Sequence, residues 1–143
     1  MDEAFVVRDR IVLTCQGGHA VVHAAEIKAA SLGVPECIAV VDASGELLAF
    51  SRMDGARPGS IEIALAKARS AARRRRPTAE EGNGDVLVTV RLALAAQMNV
   101  TGIGGGLPIA VDGQVVGAVG VSSGTSEEDV EVGRAGIAAL LES

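Results

Sequence analysis

Gly104-Gly105-Gly106-Leu107-Pro108-Ile109 and Gln114-Val115-Val116-Gly117-Ala118-Val119-Gly120-Val121-Ser122, joined through Asp112-Gly113, decide the fold of this chain. An Asp-Gly pair between two apolar runs predicts a hairpin, because glycine accepts the positive φ that tight turns need. Gly117 and Gly120 lie inside the second strand. Glycine there costs backbone entropy, so it marks a close approach, either of a packed helix or of a ligand at a pocket wall. The glycine run is not a phosphate loop, since no Gly-Lys-Ser or Gly-Lys-Thr follows it. It is not a dinucleotide fingerprint either, since a strand rather than a helix comes next.

Outward from this hairpin, Asn99 to Ile103 reads as a short strand leading into the glycines. Val86 to Met98 begins with strand-like alternation and continues as a helix, which is predicted over most of the stretch. Downstream, Ser126 is placed to cap a helix ending near Leu141, with Glu127, Glu128 and Asp129 at the positive end of its dipole. Glu128 and Glu131 are assigned to the dipole and to solubility rather than to a cation.

A second hairpin lies in the first half. Cys37 to Val41 is a buried strand, Asp42-Ala43-Ser44-Gly45 a turn, and Glu46 to Ser51 the returning strand. The loop Arg52 to Gly59 follows, and loops at strand ends commonly carry function. Arg52 can hold a carboxylate in a bidentate fork or pair with Asp54. Ser60 caps the next helix, whose inward stripe is Ile61, Ala64, Leu65, Ala68 and Ala72. Lys67 lies beside that stripe, where lysine is ordinarily solvated but can reach a ligand. Pro77 closes the helix.

At the start, Val6, Val7, Ile11 and Val12 favour extended chain. Thr14 caps a helix that stops at Gly33. Ala20, Ala24, Ile27 and Ser31 are read as its buried face. His19, His23 and Glu26 fall on a neighbouring face, four and three residues apart. Two imidazoles at this spacing can meet one metal ion, and either alone can ligate a haem iron. The zinc-protease motif is absent, because Ala20 stands where it needs glutamate.

The 143 residues suit one domain over 1–143. They are 48% hydrophobic, yet Phe5 and Phe50 are the only aromatics, so the core is built from small and branched aliphatics. A net charge of -5 argues against a nucleic-acid partner, and Arg73 to Arg76 reads as a solvated helix end. There is no apolar run of membrane-spanning length, and the N-terminus lacks a signal-peptide core. Cys15 and Cys37 show neither metal spacing nor a disulfide framework. The expected compartment is the cytoplasm.

Three segments carry a family resemblance. They are Val40-Val41-Asp42-Ala43-Ser44-Gly45; Arg52-Met53-Asp54-Gly55-Ala56 with Ala66-Lys67-Ala68; and Gly105-Gly106-Leu107-Pro108-Ile109 with Gly117-Ala118-Val119-Gly120-Val121-Ser122. In order and spacing the chain resembles the GlcG/HbpS family of haem-degrading domains from about Thr14 to Leu141. That resemblance implies a profilin-like α/β domain, three layers α/β/α around a central antiparallel sheet, assembled as a homo-oligomer. It also implies haem as cofactor, held by a histidine of the first helix, here His19 or His23, with oxidative haem breakdown as the associated activity.

The expected haem site sets the His19/His23 face against the Gly105-Gly106-Leu107-Pro108 crossing, in one subunit or across two. Arg52 or Lys67 would neutralise a propionate. The alternative function is an enzyme or auxiliary protein for a small organic acid in hydroxy-acid or aromatic breakdown. There Arg52 would fix the carboxylate, His23 would move a proton, Lys67 would donate one, and Gly105 and Gly106 would offer N–H groups to an oxyanion.

Overall fold

The computed structural model describes residues 1–78, 85–97 and 99–143. Its order is α1 (Cys15–Leu32), β1 (Cys37–Asp42), β2 (Leu47–Arg52), α2 (Ser60–Arg74), α3 (Val86–Ala95), β3 (Gly106–Val111), β4 (Gln114–Ser122) and α4 (Ser126–Leu141). The strands form one sheet in the order β2-β1-β4-β3, and every pairing is antiparallel. The two hairpins are therefore joined edge to edge through β1 and β4. Both turns behave as read: Asp42 Oδ1 accepts the Ser44 and Glu46 N–H groups at 2.9 and 3.0 Å.

Alternation along the strands divides the core. Ile38, Val40, Val119 and Val121 face one way and pack with Val21, Val22, Ala25 and Ala29 of α1 and Val132 of α4. Cys37, Ala39, Val41 and Ala118 face the other way and meet Ala64, Ala68, Ala71 and Ala72 of α2. Helices α1 and α4 thus cover one face and α2 the other, giving the expected α/β/α layers. An alanine-on-alanine contact brings α2 very close to the sheet. A Cβ on Gly120 would strike the Ala64 carbonyl and the Ala68 N–H, so helix packing explains this glycine.

Several local expectations are corrected. The buried face of α1 is Gly18, Val21, Val22, Ala25 and Ala29, whereas Ala20 and Ser31 are exposed and Ile27 is 59% exposed. Two branched valines and the Gly18 approach to Leu48 and Val40 fix this rotation, outweighing the alanine stripe. The residue preceding α2 is Gly59, not Ser60, and it gives no side-chain cap. Thr125, not Ser126, caps α4, in a capping box with Glu128. Asn99 to Ile103 is not a strand: the Thr101 N–H donates to Ser70 Oγ at 3.3 Å and the Ile103 N–H to Thr101 Oγ1 at 3.1 Å. Residues 6–12 are non-helical, as read, and join no strand among the described residues. The α3 helix forms as read, while Met98, the end of the predicted stretch, lies outside the described residues.

Candidate functional site

The end of the sheet where β1 begins and β4 finishes gathers the chain's buried charge. Lys67 projects from α2 with its side chain 2% exposed. Its ammonium donates to the Val121 carbonyl at 2.7 Å and to Asp129 Oδ2, from the first turn of α4, at 2.9 Å. Asp129 Oδ1 accepts the Gly124 N–H at 3.1 Å, and Glu36 Oε2 accepts the same N–H at 3.1 Å. Glu36 immediately precedes β1 and is fully buried.

Burial pushes the Glu36 carboxyl up to about 8 from an ordinary 4.5, and its hydrogen bond to Asp129 and the Asp129 charge push the same way. The Gly124 N–H and the Lys67 ammonium oppose this more weakly. Near neutral pH Glu36 is therefore mostly a carboxylic acid, whose proton is shared with Asp129. That proton explains why Glu36 Oε1, buried, has no donor directed at it. One cation, one carboxylate and one neutral acid make a charge-balanced cluster.

An open cleft of about 370 Å³ lies over this cluster. Lys67, Asp129 and Gly124 form part of its wall, with Arg57, Ser60, Ser123, Ile63 and Ile103. The loop after β2 brings in Arg57, whose Nη2 donates to the Ser123 carbonyl at 3.0 Å. Ser123 has φ 127°, a conformation that residues with a Cβ rarely adopt. Cys37 stands nearby as a buried thiol whose pKa burial pushes up, so it is not a ready thiolate.

The residues singled out from the sequence are distributed differently. His19 and His23 are exposed on the outer side of α1, across the sheet from α2 and Lys67. His19, His23 and Ile27 form one outward stripe at four-residue steps. Among the described residues no three His, Cys, Asp or Glu side chains converge as a metal site, so the histidines with Glu26 do not make one. Arg52 is exposed, pairs with Cys37 across β1 and β2, and has no ion pair with Asp54 among the described residues. Lys67 is buried rather than solvated.

Gly105 and Gly106 are buried. The Gly106 N–H donates to Thr78 Oγ1 at 2.9 Å, which removes it as an oxyanion donor. Gly105 has φ 122°, and a Cβ there would come within 2.6 Å of the Val121 carbonyl oxygen and 2.9 Å of Lys67 Nζ, so glycine makes room for that hydrogen-bonded pair. Leu107 is buried in the core on the α1 and α4 side, and Pro108 is half-buried. Within one chain, the histidines, Arg52 and the glycine crossing do not meet.

Glu36, Asp129, Arg57, Ser60 and Ser123 were not legible as a site. Asp129 was hidden in an acidic run suited to the α4 dipole. The one available signal was Glu36, a charge at the mouth of the fully apolar run Cys37 to Val41.

Fold and cleft together define a small α/β/α domain with a buried Lys-Asp-Glu cluster beneath a groove of mixed polar and apolar lining. Residues 13–138 match the family described as Haem degrading protein HbpS-like, and the chain belongs to that family. It is 38% identical over 116 residues to protein GlcG of Escherichia coli strain K12, covering 81% of this chain and 85% of that one. The structure is similar to that of the Klebsiella pneumoniae protein ORFY, with TM-score 0.84 and 29% identity over 100% of this chain and 98% of that chain. It is also similar to a structure titled PduOC:Heme Complex, with TM-score 0.79 and 30% identity over 90% of this chain and 95% of that one.

Proposed function

We propose that this protein binds haem through the outward face of α1, with His19 or His23 as the iron ligand. The observation that carries this reading is the stripe of His19, His23 and the 59%-exposed Ile27, flanked by exposed Ala20, on a helix side that the fold leaves uncovered. Exposed imidazoles can approach an iron, and the apolar groups beside them suit a macrocycle. The similarity to PduOC in its haem complex supports the same reading.

A single exposed helix face does not enclose a haem, so the reading requires cover from a second copy. Exposed apolar side chains support a homo-oligomer: on α3, Val86 is 71%, Leu87 57% and Leu94 68% exposed. Arg52, exposed, is the cation available to a propionate from a neighbouring copy, since Lys67 is committed to Asp129. Bound haem would supply the redox-active iron that oxidative breakdown needs. The chain's part is to ligate the iron, shield the ring and balance its charge. The proposed setting is the cytoplasm; no helix among the described residues is long and apolar enough to cross a membrane.

Haemin titration of the parent protein and of His19→Ala and His23→Ala tests the proposal. The expected result is a saturable Soret shift that one variant loses. Absence of a saturable shift in the parent protein refutes haem binding. Breakdown is tested separately, by decay of the Soret band with oxygen and a chemical reductant present.

A further inference from the structure

The cleft over Lys67 holds more hydrogen-bond donors than its own acceptors use. Ser123 Oγ accepts from the Arg57 main-chain N–H and from the Ser60 hydroxyl, both at 3.3 Å. The contact between the two hydroxyls uses only one of their two hydrogens, which leaves one O–H of the Ser60–Ser123 pair to donate into the cleft. The Lys67 ammonium gives two of its three hydrogens to Val121 and Asp129, and the Arg57 guanidinium gives one N–H to the Ser123 carbonyl. Both Asp129 oxygens are already engaged by Lys67 and Gly124.

The electrostatics point the same way. Lys67 and Asp129 cancel, which leaves Arg57 as the net charge of the cleft wall. Ser60 and Ser126, also in the wall, are the first residues of α2 and α4, so the positive ends of two helix dipoles open on the cleft. Ser123 adds an independent sign. Its backbone conformation is one that glycine adopts without strain and serine does not, so the strain accompanies a hydroxyl placed at this spot. The same wall also has an apolar part: Ile63 and Ile103 are 40% and 53% exposed. At about 370 Å³ the space is at the small end of ligand pockets.

We propose that this cleft binds a small organic monocarboxylate with a short apolar tail. The carboxylate receives the Ser123 hydroxyl and the Arg57 guanidinium above Lys67, and the tail lies against Ile63 and Ile103. The site is separate from the α1 face proposed for haem.

Calorimetric titration with benzoate and butyrate, and with methyl benzoate as the uncharged control, tests it. Saturable binding of a carboxylate but not of the ester is expected. Ser123→Gly removes the hydroxyl and relieves the strain. It is expected to weaken carboxylate binding about tenfold without lowering Tm. Arg57→Ala, at an exposed position, is expected to weaken it by at least as much. No saturable binding of either carboxylate, equal binding of the ester, or unchanged affinity in Ser123→Gly overturns the proposal. The Soret titration of Ser123→Gly is expected to match the parent, which keeps failure of this site distinct from failure of the haem reading.

Discussion

Glu36→Gln isolates the proton held between Glu36 and Asp129. Glu36 is fully buried, and its carboxyl is pushed from 4.5 up to about 8 by burial first and Asp129 second. The folded protein therefore holds a proton that the unfolded chain releases between those two values. Stability from this group is fully present below pH 4.5 and is lost as pH rises through about 8. One extra proton in the folded state costs about 1.4 kcal/mol of stability per pH unit within the window. Between about pH 5.5 and 7.5 the parent should lose about 2 kcal/mol, allowing for rounding at the ends. Glutamine presents an N–H to Asp129 where the acid presents an O–H, and its oxygen can still accept the Gly124 N–H. The variant should therefore match the parent at the acid end and keep its stability as pH rises. Asp129 and Lys67, the charged groups facing Glu36, are the same in both proteins, so the difference in slope reports Glu36 alone. Urea unfolding at a series of pH values measures it. Parallel pH profiles for the two proteins would refute the shared proton.

Lys67→Met leaves Asp129 buried without its cation and is expected to cost about 3–5 kcal/mol in chemical denaturation, far more than removal of a surface lysine. Gly120→Ala drives a methyl group into the α2 backbone at Ala64 and Ala68, and should lower stability by about 1–3 kcal/mol or more, with Tm as the measure. Thr125→Ala breaks the capping box with Glu128 and should cost about 1 kcal/mol by the same measure. Leu94→Asp places a charge on the exposed apolar side of α3; multi-angle light scattering should show a smaller assembly, and an unchanged mass would remove α3 from the interface.

Local chemistry was enough to determine the elements that depend on neighbouring residues. Asp42 to Gly45 and Asp112-Gly113 specify their turns through side-chain acceptors and positive-φ glycine, and short apolar runs bounded by those turns make the flanking segments strands. Thr14 and Gly33 mark the ends of α1 for the same reason. The small-residue core followed from composition, and the motif order identified the family.

Tertiary structure decided whatever depended on distant partners. The outward face of α1 was set by Val21 and Val22 against the sheet, which turned Ala20 and Ile27 out beside the histidines. Gly106 spends its N–H on Thr78, 28 residues away. Lys67 and Asp129 meet across 62 residues of sequence, and the Gly124 N–H reaches back 88 residues to Glu36. No periodicity records such pairings: a lysine beside an apolar stripe and an aspartate in an acidic turn read as surface residues until the sheet brings them together. A buried charge becomes affordable only when its partner arrives, and only the fold determines that arrival.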